Sequence, residues 1–545
     1  MNRKSRRAPV QMAELPQTTT AFPLVAQMFA EAVDRHRKGE IAQAEALYRA
    51  VLALQPNEAQ SAYNLGLVLH AQRRFAEAIV AYHHAIAARP DYAEAFCNLG
   101  VALQDERKLD AAIEAYQRAL TIRPDFAMAH CNLGVALKEA KRLEEAVACY
   151  HRAIALQPDY DFAFANLAAV LLDQGKAEEA IIACRHALAT RPDMTLAHFN
   201  LATGLKHLCD LDGAANAFRR AIALDPGFVE AHFALGQTLL LQGDLAAGWP
   251  EYEWRWRLKD YAWLSNIHGN FPQPRWAGEP LEGRTILIYA EQGLGDAIQY
   301  VRYLPRVTGA GGKVILAVHP PLRRLFANVP DVTLVNLDTA PFPPFDVHVP
   351  LLSLPLICGT ELQTVPTGVP YLCADREAVA RWRTRIGGSK TRVGVVWAGN
   401  PTQTGDHFRS PRLGPILPLF GNANVTFVAL QVGPGRQDLT AQALPSNVLD
   451  LGPEITDLAD TAAIMAGLDL VITSCTAPLH LSGALGVPTW GMIPASPHFA
   501  WLLDRADSVW YPTLRLYRQQ EYGTDWSGVV ARIVDDLAQF TTAAK

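Results

Sequence analysis

Three stretches in the second half of the chain combine residue types that suit the binding and transfer of a phosphorylated group. The first, Glu-Gln-Gly-Leu-Gly-Asp at 291–296, follows an apolar run and precedes residues with helical spacing. Glycine lets the backbone turn sharply and approach a ligand closely, so Gln292, Gly293 and Gly295 are candidate ligand contacts. Asp296 would project from the strand end as a base, or it would only cap the following helix.

The second stretch is a polar loop after the apolar run 393–397, and it contains His407, Arg409 and Arg412. Arginine can contact phosphate oxygens through two parallel N–H groups. Arg409 and Arg412 are therefore candidate diphosphate ligands. The alternative is that they are ordinary charges on a solvated loop.

The third stretch runs from Ser474 to His480, between a predicted strand and a predicted helix. Free N–H groups at such a helix start can hold a diphosphate without a metal ion, and a proline in the first turn removes no needed donor. The candidate contacts are Thr476, Ala477, Pro478 and His480. Cys475 and His480 could also be imagined as a thiol nucleophile pair, although nothing in the sequence orients them.

Parallel sheets would place these stretches. After residue 284, apolar β-branched runs alternate with helical segments, which indicates parallel strands covered on both faces. The predicted strands are 285–290, 313–318, 332–337 and 347–351, then 393–397, 425–431, 470–473 and 489–493. Two such series, divided by a link near 375–391, predict two Rossmann-like α/β domains, at 284–380 and 381–545, with a cleft between them.

The first half of the chain repeats with a period of 34 residues. Proline recurs at 56, 90, 124, 158, 192 and 226, alanine at 44, 78, 112, 146, 180 and 214, and a large ring at 48, 82, 116, 150 and 218, with Cys184 once in that column. Helical spacing within each unit predicts two helices and a turn. The pattern resembles the tetratricopeptide repeat and implies an α-solenoid over 27–262, after a disordered tail at 1–26, with about six units and a degenerate seventh.

A fourth column of the repeats is asparagine, at Asn64, Asn98, Asn132, Asn166 and Asn200. A primary amide both donates and accepts, so a row of amides along a groove could bind the backbone of an extended peptide. The repeat arm of O-linked N-acetylglucosamine transferases has a similar asparagine ladder. The alternative is that each asparagine bonds to its own neighbouring helix.

Five of the eleven tryptophans lie between residues 249 and 276, at Trp249, Trp254, Trp256, Trp263 and Trp276. Aromatic rings bury large areas with specific geometry. The preferred interpretation is that they attach the last repeat rigidly to the following domain through a junction at 263–283. The alternative is an aromatic platform on which a sugar stacks.

Composition narrows the class of protein. With 545 residues, 50% hydrophobic and 19% charged, the chain has the make-up of a folded protein rather than a disordered one. A formal net charge of −5 gives no broad attraction to nucleic acid. No apolar run is long enough to span a membrane, and we expect a cytoplasmic protein.

The order of motifs in the second half resembles the lipopolysaccharide heptosyltransferase type of glycosyltransferase, as found fused behind tetratricopeptide repeats. The resemblance rests on "EQGLGDAIQYVRYLP", "VGVVWAGNP", "DTAAIMAGLDLVITSCTAPLHLSGALGVPTWGMIP" and "WLLDRADSVWYPTLRLYRQ", and covers about 284–520. It implies a GT-B fold, a nucleotide-sugar donor in the carboxyl-terminal domain, metal-independent inversion without a separate cofactor, and Asp296 as the base. The family usually has Asp-Thr where this chain has Cys475-Thr476.

These observations predict transfer of a sugar from a nucleoside diphosphate to an acceptor hydroxyl, on a protein or peptide held by the repeat groove. A second hypothesis is an interaction scaffold whose transferase domain has lost activity, because a thiol at position 475 cannot replace a carboxylate. A third makes the acceptor a glycan or lipid, with the repeats only recruiting an assembly.

Overall fold

The structure is a computed structural model that describes residues 23–258, 271–338, 341–388, 390–403 and 405–543. Trp263 and most of the predicted tail lie outside the described residues. The first helix begins at Pro23, inside the segment predicted as tail.

The first half consists of helices that pack as consecutive pairs. Alanine and ring columns lie in the second helix of each pair, and the proline follows it. The helices are α1 (Pro23–Arg37), α2 (Ile41–Leu54), α3 (Ala59–Ala71), α4 (Phe75–Ala88), α5 (Ala93–Asp105), α6 (Leu109–Ile122), α7 (Ala127–Glu139), α8 (Leu143–Leu156), α9 (Asp161–Asp173), α10 (Ala177–Thr190), α11 (Thr195–His207), α12 (Leu211–Leu224), α13 (Val229–Gln242) and α14 (Leu245–Tyr252). The predicted solenoid of helix pairs is confirmed.

The repeat columns are the core of this array. Tyr82 and Tyr116 are fully buried, and each ring fills the space beside a glycine of the preceding helix. A Cβ at Gly66 would lie 2.4 Å from the Tyr82 ring, and one at Gly100 would lie 2.6 Å from the Tyr116 ring. Glycine is therefore required there because the ring occupies the volume of a side chain.

The second half contains two sheets in which every pairing between the named strands is parallel. The four-stranded sheet has the order β3-β2-β1-β4 and the six-stranded sheet the order β10-β9-β8-β5-β6-β7. The strands are β1 (Thr285–Tyr289), β2 (Lys313–Val318), β3 (Val332–Asn336), β4 (Val347–Pro350), β5 (Thr391–Val396), β6 (Val425–Ala429), β7 (Val448–Asp450), β8 (Leu470–Ser474), β9 (Thr489–Ile493) and β10 (Leu514–Arg518). All eight predicted strands are present, and β7 and β10 were not predicted.

Helices cover these sheets, as an α/β architecture requires. The longer ones are Leu294–Tyr300, Arg376–Ile386, Leu458–Met465, Ala477–Ala484 and Ser527–Ala543. Alternating strands and helices are what the apolar runs predicted.

The chain divides into two compact units, and the division differs from the predicted boundary at residue 262. One unit contains residues up to 204 with 223–226, and the other contains 205–222 and 227–545. The last helices of the array thus belong to the same unit as both sheets. The three loops that follow β1, β5 and β8 all lie within that second unit.

Candidate functional site

The three predicted stretches follow the carboxyl ends of parallel strands. The glycine-rich loop follows β1, the arginine loop follows β5, and the loop around Thr476 follows β8. Strands β5 and β8 are neighbours in the six-stranded sheet, with Val393 opposite Leu470. Parallel neighbours end at the same edge, so the last two loops share that edge.

Two glycines show how closely the three loops approach one another. A Cβ at Gly295 would lie 2.9 Å from Cδ2 of His480 and 3.3 Å from the Cα of Ala477. A Cβ at Gly399 would lie 2.9 Å from Cγ2 of Thr476 and 3.2 Å from Nη2 of Arg409. The start of helix Ala477–Ala484 therefore lies against both of the other loops.

Asp296 lies at the start of helix Leu294–Tyr300. Its Oδ2 accepts a 3.0 Å hydrogen bond from the Gly293 N–H, so it does cap the helix. Burial raises the pKa of Asp296 from 3.8 to about 6, against the Gly293 hydrogen bond and the Arg409 charge, which lower it. A carboxyl group with such a pKa can accept a proton near neutral pH.

The two arginines of the second loop occupy different surroundings. Arg409 is held by Asp406, with Nε 3.1 Å from Oδ1, and also by Gln403. Arg412 is paired with Asp438, whose second oxygen accepts the Leu413 N–H at 2.9 Å. Around Gly399 the structure brings Arg409 close to Thr476, whereas the partner found for Arg412 is Asp438.

Arg412 lines a pocket of about 510 Å³, which His407, Thr524 and the Asp406 partner of Arg409 also line. The ring of Phe408 packs on that of Tyr522, with centroids 4.7 Å apart, and Tyr522 in turn stacks on His207 at 4.8 Å. The second loop thus contacts residues just beyond β10 through aromatic rings. The sequence did not predict this contact.

The thiol of Cys475 faces into the core. Nε1 of Trp501 lies 3.0 Å from its Sγ, and burial raises the thiol pKa. Nδ1 of His480 lies 3.0 Å from the Tyr511 hydroxyl, and burial lowers its pKa well below the usual value. A neutral thiol and a neutral imidazole with separate partners do not form an activated nucleophile pair, so that alternative is wrong.

The glycine-rich loop is fixed to the last helices of the array. The Tyr252 hydroxyl donates to Oε1 of Gln292 over 3.1 Å. Arg255 is fully buried and bonds to Glu291, with Nη2 2.8 Å from Oε1 and Nε 3.3 Å from Oε2. Glu291 is thus a structural anchor, a role that the sequence did not reveal.

A network of charges surrounds this anchor. Nη1 of Arg255 also lies 2.5 Å from Oε1 of Glu253, and Nη2 lies 2.8 Å from the Ser353 hydroxyl. Burial alone would lower the pKa of Arg255, but the charges of Glu291 and Glu253 outweigh it and raise the pKa. The guanidinium therefore remains charged inside the protein.

Two of the four described tryptophans of the junction, Trp249 and Trp276, support the interpretation as an attachment. Trp249 is 3% exposed, donates to the Thr360 carbonyl over 3.1 Å and packs edge-on to Tyr300 and Phe499. Trp276 is also buried and donates to the Glu279 carbonyl. Rings with these contacts offer no open face on which a sugar could stack.

The asparagine column corrects the predicted peptide ladder. All five side chains, Asn64, Asn98, Asn132, Asn166 and Asn200, are buried, with at most 5% exposed. Nδ2 of Asn98 donates to the Tyr63 hydroxyl at 2.7 Å, and Nδ2 of Asn200 to the Ala165 carbonyl at 2.9 Å, each in the preceding repeat. We therefore assign these amides to packing between repeats, because a peptide backbone cannot reach them.

This assignment predicts a stability effect. Asn98→Ala removes the buried hydrogen bond to the Tyr63 hydroxyl, and we expect a loss of about 0.5–1.5 kcal/mol of unfolding free energy. Urea unfolding followed by far-ultraviolet circular dichroism measures it. Tyr63→Phe should cost less in the Asn98→Ala protein than in the wild type, because the hydrogen bond is already lost, whereas unchanged stability in Asn98→Ala would contradict the assignment.

The described residues contain neither a cluster of metal ligands nor a helix that could span a membrane. No group of three or more His, Cys, Asp or Glu side chains in the described ranges could hold a metal ion. None of the helices within those ranges is both long and apolar enough to cross a bilayer.

Comparison with known families bears on the array. Models described as the tetratricopeptide repeat and the TPR repeat match residues 93–126 and 127–160, and residues 69–106 and 210–243. These residues are tetratricopeptide repeats. The array identified from the 34-residue period is thus a tetratricopeptide-repeat solenoid.

Individual proteins also show similarity. The chain is 28% identical over 334 residues to protein FlbA of Caulobacter vibrioides, covering 56% of this chain and 54% of FlbA, so it spans about half of that relative. The structure of MamA is 24% identical, with 30% of this chain and 94% of MamA covered and a TM-score of 0.28. YrrB, described as a TPR protein with an unusual peptide-binding site, is 17% identical, with 34% and 95% covered and a TM-score of 0.29.

Proposed function

We propose that this protein is a glycosyltransferase that moves a sugar from a nucleoside diphosphate to an acceptor hydroxyl, with a GT-B arrangement of its two parallel sheets. The observation that carries the proposal is the convergence at Gly295 and Gly399. There the start of helix Ala477–Ala484 lies against both the Asp296 loop and Arg409. A base, a cation and free helix N–H groups at one place suit transfer from a diphosphate.

In the proposed reaction each group has a separate task. Asp296 takes the proton of the acceptor hydroxyl as its oxygen attacks the anomeric carbon, and its raised pKa supports this role. Arg409 and the N–H groups near Thr476 stabilise the negative charge of the departing diphosphate. The leaving group carries away the electron pair of the broken sugar–phosphate bond.

The departure at Cys475 does not by itself count against this proposal. Its thiol meets Trp501 in the core, so the phosphate contacts would come from the backbone and from Arg409. The second candidate, an interaction scaffold without activity, is favoured by the confirmed repeats and by the loss of a carboxylate at position 475. A protein or peptide acceptor held by the repeats remains part of the first proposal, although the asparagine column no longer supplies its contacts.

The test is thermal unfolding, without metal, against UDP, GDP, ADP, CMP, dTDP and their sugars. A ligand that binds only the folded state at a hundredfold excess over its Kd adds about 2.7 kcal/mol of stability. We expect one nucleoside diphosphate, or its sugar, to raise the Tm. Arg409→Ala should weaken the binding of that ligand about ten- to hundredfold, because a hydrogen bond from a charged group is lost.

Two further variants sharpen this measurement. Arg412→Ala should have a smaller effect, because Arg412 is already paired with Asp438. Arg385→Ala, which breaks an exposed pair with Glu454, is the matched control and should leave binding unchanged. If no nucleotide shifts the Tm of the wild-type protein, the scaffold hypothesis replaces the transferase proposal.

A further inference from the structure

The end of α11 lies at the same sheet edge as the proposed donor site. The Ser496 hydroxyl lies 3.4 Å from the Lys206 carbonyl oxygen, and Sγ of Cys209 lies 3.2 Å from the Ala495 carbonyl oxygen. Residues 494–498 follow β9, which pairs with β8. A lysine of the repeat array is therefore positioned beside the loops at the carboxyl ends of these two strands.

Lys206 contributes a positive charge that is not neutralised by a carboxylate. Its Nζ donates to Oε1 of Gln237 at 3.0 Å, which is a neutral amide. None of the ion pairs found within the described ranges involves Lys206; the pairs on either side of it in the sequence are those of Arg191 and His232. Burial lowers the pKa of Lys206 from 10.5 to about 8, so the ammonium form still predominates at pH 7.

The groups around this lysine are basic as well. The pKa of His498 is lowered to about 4, mainly by burial and in addition by the charges of Lys206 and Arg409. His498 in turn lowers the pKa of His480, whose ring borders Gly295. Lys206 and Arg409 therefore act on one common neighbour from two different elements.

A partly buried cation of this kind is unfavourable unless an anion compensates it. Arg409 has the Asp406 carboxylate, whereas the partner of Lys206 among the described residues is the Gln237 amide. An anionic ligand at the start of helix Ala477–Ala484 would supply the missing charge. A lysine amine suits a phosphate oxygen, because it is a compact donor on a flexible stem.

From this geometry we infer that Lys206 is a phosphate-binding residue of the same site, so that a helix of the repeat array completes the binding of the donor diphosphate. The nucleoside part of this inference rests on the proposed function, while the diphosphate part does not. Nucleotide binding and the conformation of the last repeats would then depend on each other, because the bound diphosphate would contact Lys206 and Lys206 belongs to α11.

The array supplies a matched control. Lys138 occupies the same repeat position, two units of 34 residues before Lys206, but its Nζ lies 3.3 Å from a carboxylate oxygen of Asp173. Replacing either lysine with methionine keeps a long apolar stem and removes one charge. Lys206, unlike Lys138, belongs to the compact unit that contains the proposed phosphate site.

The experiment titrates the full-length protein with inorganic pyrophosphate and with the nucleoside diphosphates above, by calorimetry at pH 7. Lys206→Met should weaken pyrophosphate and nucleoside diphosphate binding about ten- to hundredfold. Lys206→Arg should retain most of the affinity, and Lys138→Met should leave it unchanged. Circular dichroism and the Tm of each unliganded variant check the fold.

The possible results separate this inference from the proposed function. Pyrophosphate binding that depends on Lys206, with no preference for any nucleoside diphosphate, supports the anion site and counts against the transferase. Nucleotide binding that needs Arg409 but is unaffected in Lys206→Met overturns the inference alone. Absence of any binding by the wild-type protein overturns both.

Discussion

Arg255→Ala is expected to destabilise the unit that contains both sheets by about 3–5 kcal/mol, since it leaves a buried carboxylate without its partner. Glu291 is fully buried and accepts two hydrogen bonds from the Arg255 guanidinium. Arg255 also bonds to Ser353 and Glu253. One substitution therefore removes the hydrogen bonds that Arg255 makes to three side chains, those of Glu291, Ser353 and Glu253. Through these bonds Arg255 joins the last repeat to the glycine-rich loop.

The measurement exploits the distribution of tryptophan. All eleven tryptophans lie between Trp249 and Trp526, within the compact unit that contains Arg255. Tryptophan fluorescence in urea thus reports the unfolding of that unit alone. Arg257→Ala, which removes an exposed guanidinium 4.1 Å above the Trp254 ring, is the matched control and should cost about 1 kcal/mol or less.

A double-mutant cycle distinguishes the ion pair from simple loss of packing. Adding Glu291→Gln to Arg255→Ala removes the stranded charge, so the combined loss should be smaller than the sum of the single losses. In the single variant, acid should also recover part of the stability, because protonation neutralises Glu291. Strict additivity, or a loss below about 1 kcal/mol in Arg255→Ala, would contradict the role of the pair.

Asp296→Asn should lower the rate of sugar transfer by roughly 10²–10⁴ without loss of nucleotide binding, because the amide cannot accept the proton of the hydroxyl. The asparagine oxygen can still accept the Gly293 N–H, so the helix cap survives. Asp375→Asn is the matched control, since Asp375 caps helix Arg376–Ile386 through the Ala378 N–H away from the site. It should leave the rate unchanged.

The pH profile gives an independent test of the same residue. Since only the ionised carboxylate acts as a base, kcat/KM of the wild-type protein should fall tenfold per pH unit below about 6. The folded-state pKa lies above the unfolded value, so ionised Asp296 costs stability at neutral pH, and that cost is relieved as the pH falls from about 6 towards 4. Asp296→Asn should consequently be at least as stable as the wild type at pH 7. Turnover within about threefold of the wild type would contradict the base assignment.

The sequence predicted much of the fold because its signals are local and repeated. The 34-residue columns of proline, alanine and rings give the helix pairs, and Tyr116 is buried against Gly100 as a repeated contact requires. Apolar β-branched runs gave eight strands correctly. The three-residue β7 and the alternating β10 were missed, since the first is short and the second has an exposed Arg515 between buried neighbours.

The candidate site was predicted less completely. The loops around Asp296, Arg409 and Thr476 were expected to converge, and the structure brings them together. Arg412 was grouped with them, but its guanidinium pairs with Asp438, 26 residues further along the chain. Two arginines three positions apart in a loop can pair with different carboxylates, here Asp406 and Asp438, and spacing alone does not show which.

By itself, the sequence determined the repeat period, the parallel α/β character and the loops that carry chemistry, because each depends on residues close together in the chain. Only the tertiary structure decided that the asparagines are buried, that Glu291 is an anchor for Arg255 and that Lys206 lies beside the Thr476 edge. Those facts depend on contacts between residues 35 to 290 positions apart. Such contacts are set by how the folded elements pack, and the pattern of neighbouring residues in the sequence does not predict them.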